Sequence, residues 1–407
     1  MAVRSSAGFP GERITSLRCV TLADSSLMSD GRYRDQCRVI RVHDRLGMSA
    51  SGQGRVTVFS TRKESFAQGS EVLFTGRLLE TKEGDWLFFS QDSGGQVLRS
   101  PEGLYKLRRW CVDFTVEAFR PLRRGASGLL TALFLGIRDF LEEDHLFRQA
   151  GCSHILALSG MHVGIITGFL SLLIRPLLGK RLSILFLYIF IFAYLFLTGF
   201  GPSLNRSALM FLFLSAPSFF SRKPSSLQVL SLSFVVLAIL SPVSVKSLSF
   251  QLSFLALGGI LLIGRVVLPA LSYLPPWLKY PLSASLGAQL ASSPLVATVF
   301  GIIYPAGMLA SLVITPLVTL FMAGGMIYLL LDGMGCALPA GILSRGLEYL
   351  SDLLFHVAGF FARIPGVSTE NKGSMIVTLV SAILVLLFLG YARFRVRRYE
   401  KSLEGQL

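Results

Sequence analysis

Gly151-Cys-Ser-His-Ile-Leu-Ala-Leu-Ser-Gly-Met-His-Val-Gly164 opens an apolar run long enough to span a bilayer, yet it carries His154, Ser159 and His162. An ionisable side chain at the centre of a membrane helix costs about 2.5–3.5 kcal/mol on insertion scales, so such groups face protein or a watery cavity. The run therefore reads as a membrane segment with a polar face, which suggests a passage or an internal contact. On a helical wheel for a span at 152–174, Gly160, Gly164 and Gly168 form one stripe of overlapping Gly-x-x-x-Gly units, predicting close approach of another helix. Ser159 and His162 fall on nearly the opposite face. His154 and His162 lie about 12 Å apart along such a helix, too far to share a metal ion.

The composition agrees with a polytopic membrane protein. Of 407 residues, 52% are hydrophobic and 15% charged, with mean hydropathy +0.59; soluble domains carry roughly 25% charged residues. The net charge of +15 divides into +6 over residues 1–124 and +9 over the remainder. Five cysteines show neither Cys-x-x-Cys pairs nor regular spacing, which argues against a disulfide framework or a zinc site. Residues 1–20 carry charge without the apolar stretch of a signal peptide. If the first domain lies outside the cytoplasm, a missing upstream segment is the expected remedy.

Outward from the opening motif, the chain divides into a polar segment (1–30), a β-rich domain (31–100), connector helices (101–150), a transmembrane domain (151–392) and a basic tail (393–407). The β-rich domain shows runs rich in β-branched residues at Cys37–His43 and Arg55–Phe59, followed by strand-like runs at Glu71–Leu79 and Trp86–Phe89, separated by glycine-containing turns. Short strands at this density predict a small barrel, OB-like or SH3-like. Tyr105 to Leu122 mixes apolar and basic positions, as a helix lying on a membrane surface does. The fold expected is a polytopic α-helical membrane protein of about nine spans, some broken or re-entrant, behind a small all-β OB-like barrel. The spans fall at 152–174, 182–199, 204–220, 226–241, 247–268, 281–300, 306–331 and 374–392, with an amphipathic stretch at 341–363 as the ninth or a re-entrant segment. With residues 1–150 outside and nine crossings, twelve loop and tail cations are cytoplasmic and four are outside. That asymmetry is the positive-inside pattern, and it leaves the tail in the cytoplasm.

Polar groups recur inside the apolar regions. Gly199-Phe-Gly-Pro-Ser-Leu-Asn-Arg206 breaks the chain at a membrane edge and brings Asn205 and Arg206 to a helix start. Ser247, Gln251 and Phe254 follow helical spacing with Ser249 and Ser253 beside them, and Ser285, Gln289, Ser292 and Ser293 form a stripe closed by Pro294. Several such stripes in one bundle favour a lined pathway over simple packing. Ser159 and His162 at i, i+3 also admit a hydrolase pair, for which no third orienting group is identifiable. No phosphate-loop motif or histidine-rich metal motif occurs, so no cofactor or metal is expected, and any cargo is driven by a gradient or a separate motor.

Phe147-Arg-Gln-Ala-Gly-Cys-Ser-His-Ile-Leu-Ala-Leu-Ser-Gly-Met-His-Val163 resembles the central motif of ComEC-type competence proteins. Three further blocks resemble that family in order and spacing: Thr198–Met210, Ser249–Ala256 and Gln289–Leu295. The resemblance covers about 125–335, and the β-rich region sits where the family places its OB module. It implies a channel in the inner membrane that passes one strand of incoming DNA into the cytoplasm during transformation, not an enzyme. It further implies partners: single-stranded DNA, membrane lipid, and a separate DNA receptor, nuclease and ATP-driven motor. His154, Ser159, Gly160, His162, Arg206, Gln251, Ser253, Gln289 and Pro294 fall on the family's motif positions. The chain departs from the pattern in lacking spans before the barrel and a metallo-β-lactamase-like domain after the bundle.

A path for single-stranded DNA needs positive potential at its entrance and stacking surfaces for bases. Arg32, Arg34, Arg38, Arg41 and Arg45 cluster near the first strands, and Arg108/Arg109 and Arg123/Arg124 flank the bundle. The plain alternative for these arginines is a solvated face shared with Asp30, Asp35 and Asp44. Phe59, Phe74, Trp86, Phe88 and Phe89 are either stacking platforms or barrel core. Two other functions stay open: a transporter of small or lipid-like solutes, and a membrane hydrolase using Ser159 and His162.

Overall fold

The computed structural model describes residues 4–5, 14–22, 25–28, 32–44, 49–61, 66–80, 86–90, 95–100, 102–216 and 224–368. The chain forms two compact units, Met1–Arg120 with Ile137–Phe140, and Pro121–Gly136 with Leu141–Leu407.

The first unit contains β1 (Arg4–Ser5), β2 (Ile14–Thr21), β3 (Ser26–Leu27), β4 (Tyr33–Asp44), β5 (Ser49–Gln53), β6 (Arg55–Ser60), β7 (Glu71–Glu80), β8 (Trp86–Ser90), β9 (Gln96–Arg99) and the helix α1 (Leu104–Phe119). Five strands close a ring in the order β4–β2–β7–β8–β6 and back to β4. The closing pair β6–β8 is parallel, with Phe59 opposite Phe89, while the other ring pairs are antiparallel. This Greek-key ring is OB-like, which decides between the two barrels the sequence allowed. Alternation along β4 sends Tyr33, Asp35, Cys37 and Val39 inward and Arg32, Arg34, Arg38 and Arg41 outward. Leu17, Cys19, Val58, Val72, Phe74 and Phe88 fill the interior.

The barrel begins at Ile14 rather than at residue 31. The stretch expected to be a polar lead-in supplies β2, which pairs with both β4 and β7. Its register shifts between Ile14 and Ser16, so Ile14 and Leu17 both point inward out of period-two spacing, while Leu17, Cys19 and Thr21 alternate strictly. Asp35 does not share the arginines' face: it is fully buried, and the Ser25 hydroxyl donates to it at 2.5 Å. Arg45, Asp30 and the turn at 83–85 lie outside the described residues.

In α1 one expected outward cation turns inward, while Lys106 and Arg109 stay exposed. Arg108 is buried, and Arg109 pairs with Asp113 at 3.0 Å. Leu104, Leu107, Trp110 and Phe114 are exposed as well, with the Trp110 and Phe114 rings stacked at 5.6 Å. Arg108 is therefore not an open cation for DNA.

The second unit is helical: α2 (Arg124–Leu135), α3 (Asp144–Gln149), α4 (Ser153–Leu156), α5 (Gly160–Thr198), α6 (Pro202–Ser215), α7 (Ser226–Leu240), α8 (Pro242–Val245), α9 (Leu248–Val267), α10 (Pro276–Phe300), α11 (Gly307–Gly333) and α12 (Ala337–Ala362). The short strands Ile302–Ile303 and Val367–Ser368 pair antiparallel beside them. Rather than connecting, α2 is core: Leu129, Leu130, Ala132 and Leu133 are fully buried. It packs with α11 and α12, whose Ile314, Val318, Phe321 and Leu354 are equally enclosed.

Among the described residues, three helices are both long and apolar enough to cross a membrane: Gly160–Thr198, the α9 segment Leu248–Leu271, and Gly307–Gly333. The other expected spans meet that test only in part. Helices α6 and α7 have 14 and 15 residues, and α12 carries Arg345, Glu348 and Asp352. The stretch at 374–392 and the basic tail lie outside the described residues. Helix α5 joins two helical segments across Gly179, whose φ of 71° is open to glycine and strained for other residues. Each half is about 28 Å long at 1.5 Å per residue, close to the hydrocarbon thickness of a bilayer.

Candidate functional site

The opening motif is not one continuous helix. Cys152 caps the single turn α4, Ala157 is extended, and α5 starts at Gly160 with Ser159 as its N-cap. Ser159 thus stands in extended backbone (φ −137°, ψ 175°), outside the helical wheel on which the sequence places it. Its hydroxyl lies 3.0 Å from Nδ1 of His162, and its backbone N–H donates to the same nitrogen at 3.2 Å. A histidine here takes the position usually held by Glu or Gln in a capping box. His162 is fully buried, and its Nε2 makes no hydrogen bond among the described residues.

The glycine stripe divides in function. A Cβ on Gly160 would come within 2.7 Å of the Ser207 hydroxyl and 3.5 Å of an Arg206 guanidinium nitrogen, so the start of α5 packs tightly on α6. Gly164 and Gly168 have open space where a Cβ would stand. They face a crevice rather than a neighbouring helix, so the expected packing stripe is reduced to one glycine.

Arg206 is the centre of the cluster. It lies one turn into α6, which starts from the turn Gly199-Phe-Gly201 with Pro202 as its first residue. Its Nη1 donates to the backbone carbonyl of Ser253 on α9, and its guanidinium carbon sits 5.9 Å from the Phe254 ring centroid. The Ser253 hydroxyl donates to Ser203 at 3.1 Å, and Ser207 donates back to the Ser203 carbonyl at 2.9 Å. Arg206 is 8% exposed, its Nε has no partner, and it forms no salt bridge among the described residues. The first two turns of α5, α6 and α9 meet here, and helix N-termini carry partial positive charge. A buried guanidinium joined to three such ends is a locus that favours an anion.

The remaining motif residues are placed separately. His154 is exposed and lies 3.5 Å from Ser311 on α11, with Cys152 Sγ also 3.5 Å from that hydroxyl. Gly151 (φ 73°) lets this corner close: a Cβ there would meet Tyr304 at 2.7 Å and Gly307 at 2.9 Å. Asn205 donates to the Phe200 carbonyl at 3.1 Å, holding the turn before α6. Gln251 donates to the Val245 carbonyl at 3.3 Å and lines a cavity of about 560 Å³ that is otherwise apolar. Gln289 is half-buried on α10, which continues as helix through Pro294. On the same helix Ser292 donates to the Ala288 carbonyl of its own backbone, at 2.8 Å.

On the barrel, Phe74 and Phe88 are core, whereas Phe59 and Phe89 are half-exposed and stacked with centroids 5.3 Å apart. The strand registers set Arg34 opposite Phe59, Phe59 opposite Phe89, and Phe89 opposite Arg77. An outward row Arg34–Phe59–Phe89–Arg77 results, with Arg32, Arg38, Arg41 and Arg55 exposed on the same barrel. Arg77 was not among the sequence candidates; the alternation of Val72, Phe74, Gly76 and Leu78 inward already points it outward. The Ser253 and Phe254 contacts to the Arg206 cluster depend on long-range packing of α9 on α6 and leave no local signal.

The chain belongs to the Competence protein family, which matches residues 133–395, well over half of its length. It is 36% identical over 107 residues to ComE operon protein 3 of Bacillus subtilis (strain 168), covering 26% of this chain and 13% of that protein. It is also 28% identical over 256 residues to an uncharacterized protein of Aquifex aeolicus (strain VF5), covering 62% and 58% of the two chains. The alignments thus span less than two thirds of either relative. No solved structure matches the chain.

Proposed function

We propose that this protein takes part in DNA uptake, as a multi-pass channel component of the inner membrane that passes single-stranded DNA into the cytoplasm. The observation that carries the reading is Arg206: a buried guanidinium, free of any acid among the described residues, where three helix ends meet inside the competence domain. A permanent cation without a carboxylate is costly unless an anion visits it, and a phosphodiester is the anion this family's cargo offers. The Arg34–Phe59–Phe89–Arg77 row supports the same reading, since bases stack on aromatics while arginines follow the backbone. The exposed Leu104, Leu107, Trp110 and Phe114 suit α1 to lie on a membrane surface.

In this arrangement the barrel is outside, the tail is cytoplasmic, and about nine crossings include both halves of α5. His154, Ser159, Gly160, His162, Asn205, Gln251, Ser253, Gln289 and Pro294 shape or line the path. Lipid surrounds it, and a separate receptor, nuclease and motor complete the pathway. The Ser159–His162 contact keeps a hydrolase reading in view, but the backbone N–H of Ser159 already occupies Nδ1 and the pair caps α5. The test is internalisation of labelled single-stranded DNA in transformable cells that carry wild type or Arg206→Met at equal membrane levels. Loss of uptake with retained protein supports the channel; undiminished uptake overturns it.

A further inference from the structure

A second cavity, of about 310 Å³, lies between the two halves of α5 and the end of α6. One wall is Gly164, Thr167, Gly168 and Ser171, and the facing wall is Ser183, Ile184 and Leu187, so the two halves border one trough. The trough exists because Gly164 and Gly168 have no side chains, and no described residue comes within 4 Å of where their Cβ atoms would stand. Arg175 and Lys180 line it on either side of the Gly179 break, and neither makes an ion pair or hydrogen bond among the described residues.

The hydroxyl protons are not equivalent. Thr167 donates to the Val163 carbonyl at 2.6 Å, and Ser183 donates to Gly179 at 2.6 Å. Ser215 donates to the Phe211 carbonyl. Ser171 makes no hydrogen bond among the described residues, so its proton and the two cations are the donors left for a ligand. The surroundings select the ligand's class. Leu172, Leu177, Leu178, Leu182 and Leu185 are all exposed around the break, in a helix of mean hydropathy 2.0. An anion that reaches this trough must tolerate an apolar flank. The volume stands at the small end of ligand sites, which run from about 300 to 1,000 Å³.

We propose that this trough binds the phosphate headgroup of an anionic glycerophospholipid, with Arg175, Lys180 and Ser171 as donors and the exposed leucines beside the acyl chains. Paired basic residues between membrane helices are suited to such headgroups. The inference is independent of the DNA path, which rests on Arg206.

The experiment measures lipid carried by the full-length protein, exchanged into nanodiscs of phosphatidylcholine with a minor share of phosphatidylglycerol and re-extracted for mass spectrometry. The wild type is expected to retain phosphatidylglycerol in excess over its share. The double variant Arg175→Gln/Lys180→Gln, altered at exposed positions only, is expected to lose that excess by about tenfold or more. Gly168→Leu keeps the charges and fills the trough, and should lose it as well. Millimolar inorganic phosphate and a short oligothymidine are added in separate arms, and neither should displace the lipid. Equal retention by the double variant or by Gly168→Leu overturns the proposal. Displacement by oligothymidine reassigns the trough to nucleic acid, and displacement by phosphate reassigns it to a free anion; either result overturns the lipid assignment.

Discussion

The two units treat arginine in opposite ways. The barrel buries an acid, Asp35, and exposes its cations on β4, β6 and β7. The helical unit buries a cation, Arg206, without an acid among the described residues, and exposes leucines and phenylalanines on α5. Barrel arginines stay hydrated, so they cost little and offer a diffuse attraction that salt can screen. Arg206 is desolvated, and its remaining partners are a carbonyl and an aromatic face. The first arrangement can gather a polyanion; the second can hold one phosphate at a defined place.

The sharpest way to break that contrast is Arg206→Met. Replacing a buried, unpaired charge with an apolar side chain of similar length is expected to leave stability within about 1 kcal/mol or to raise it. Uptake of labelled DNA is expected to fall by about 100-fold, the scale of 2–3 kcal/mol for a lost charge-assisted contact. Thermal unfolding in detergent, read beside the uptake assay, separates the two effects. A large drop in melting temperature would make Arg206 a structural tie and remove the contrast.

Within the barrel, Phe74→Ala and Phe89→Ala test whether core and outer aromatics differ as their burial says. Truncating fully buried Phe74 should cost about 3–5 kcal/mol. Phe89→Ala should leave folding largely intact and weaken oligothymidine binding by the roughly 1–3 kcal/mol of a lost base stack. Fluorescence anisotropy with the full chain reads the second effect, and denaturant unfolding reads the first. Equal binding by Phe89→Ala and wild type would leave the outer row without a role.

Much of this contrast was legible from the sequence, for physical reasons that can be named. Strands β4 and β6 announce themselves by β-branched alternation, β7 and β8 by short apolar runs between turns, and the helices by longer apolar runs. Strand β2 was hidden because its register shift between Ile14 and Ser16 breaks the period-two pattern at its start. The break before α5 was hidden by apolar residues on both sides, although Ser159-Gly-Met-His162 carries a cap signature once His is allowed at the third position. The membership of Arg206 and Ser253 in one cluster depends on where α6 meets α9, and the emptiness beside Gly164 and Gly168 on where α5 turns back. No local pattern encodes either.

Smaller effects probe how the helical unit holds its motif. Gly151→Ala forces a side chain into a positive-φ backbone and against Tyr304 and Gly307, with an expected loss of about 1–3 kcal/mol. Ser159→Ala removes the N-cap of α5 and should cost about 1 kcal/mol. If Ser159 only caps, Asn at this position restores stability and uptake together, as measured by melting temperature and DNA internalisation. Restored stability without restored uptake would give the hydroxyl a role at the path itself.

The smallest effect belongs to the barrel's ion pair. The Arg18 guanidinium hydrogen-bonds Glu71 at 2.5 Å, and with Arg99 nearby it holds the Glu71 carboxyl below its ordinary value of 4.5, against an opposing effect of burial. A depressed carboxyl stabilises the fold above its unfolded value and loses that contribution as pH falls through its folded value. The window therefore lies below pH 4.5, and the barrel is insensitive to this group at neutral pH. Unfolding of wild type and Glu71→Gln, compared from pH 7 downward, should show a small constant gap that closes only below that value. Arg18 is half-exposed, so added salt should narrow the gap at pH 7. A gap that persisted at low pH would assign the stabilisation to side-chain packing in β7, and the outer face of the barrel would then owe nothing to charge at this position.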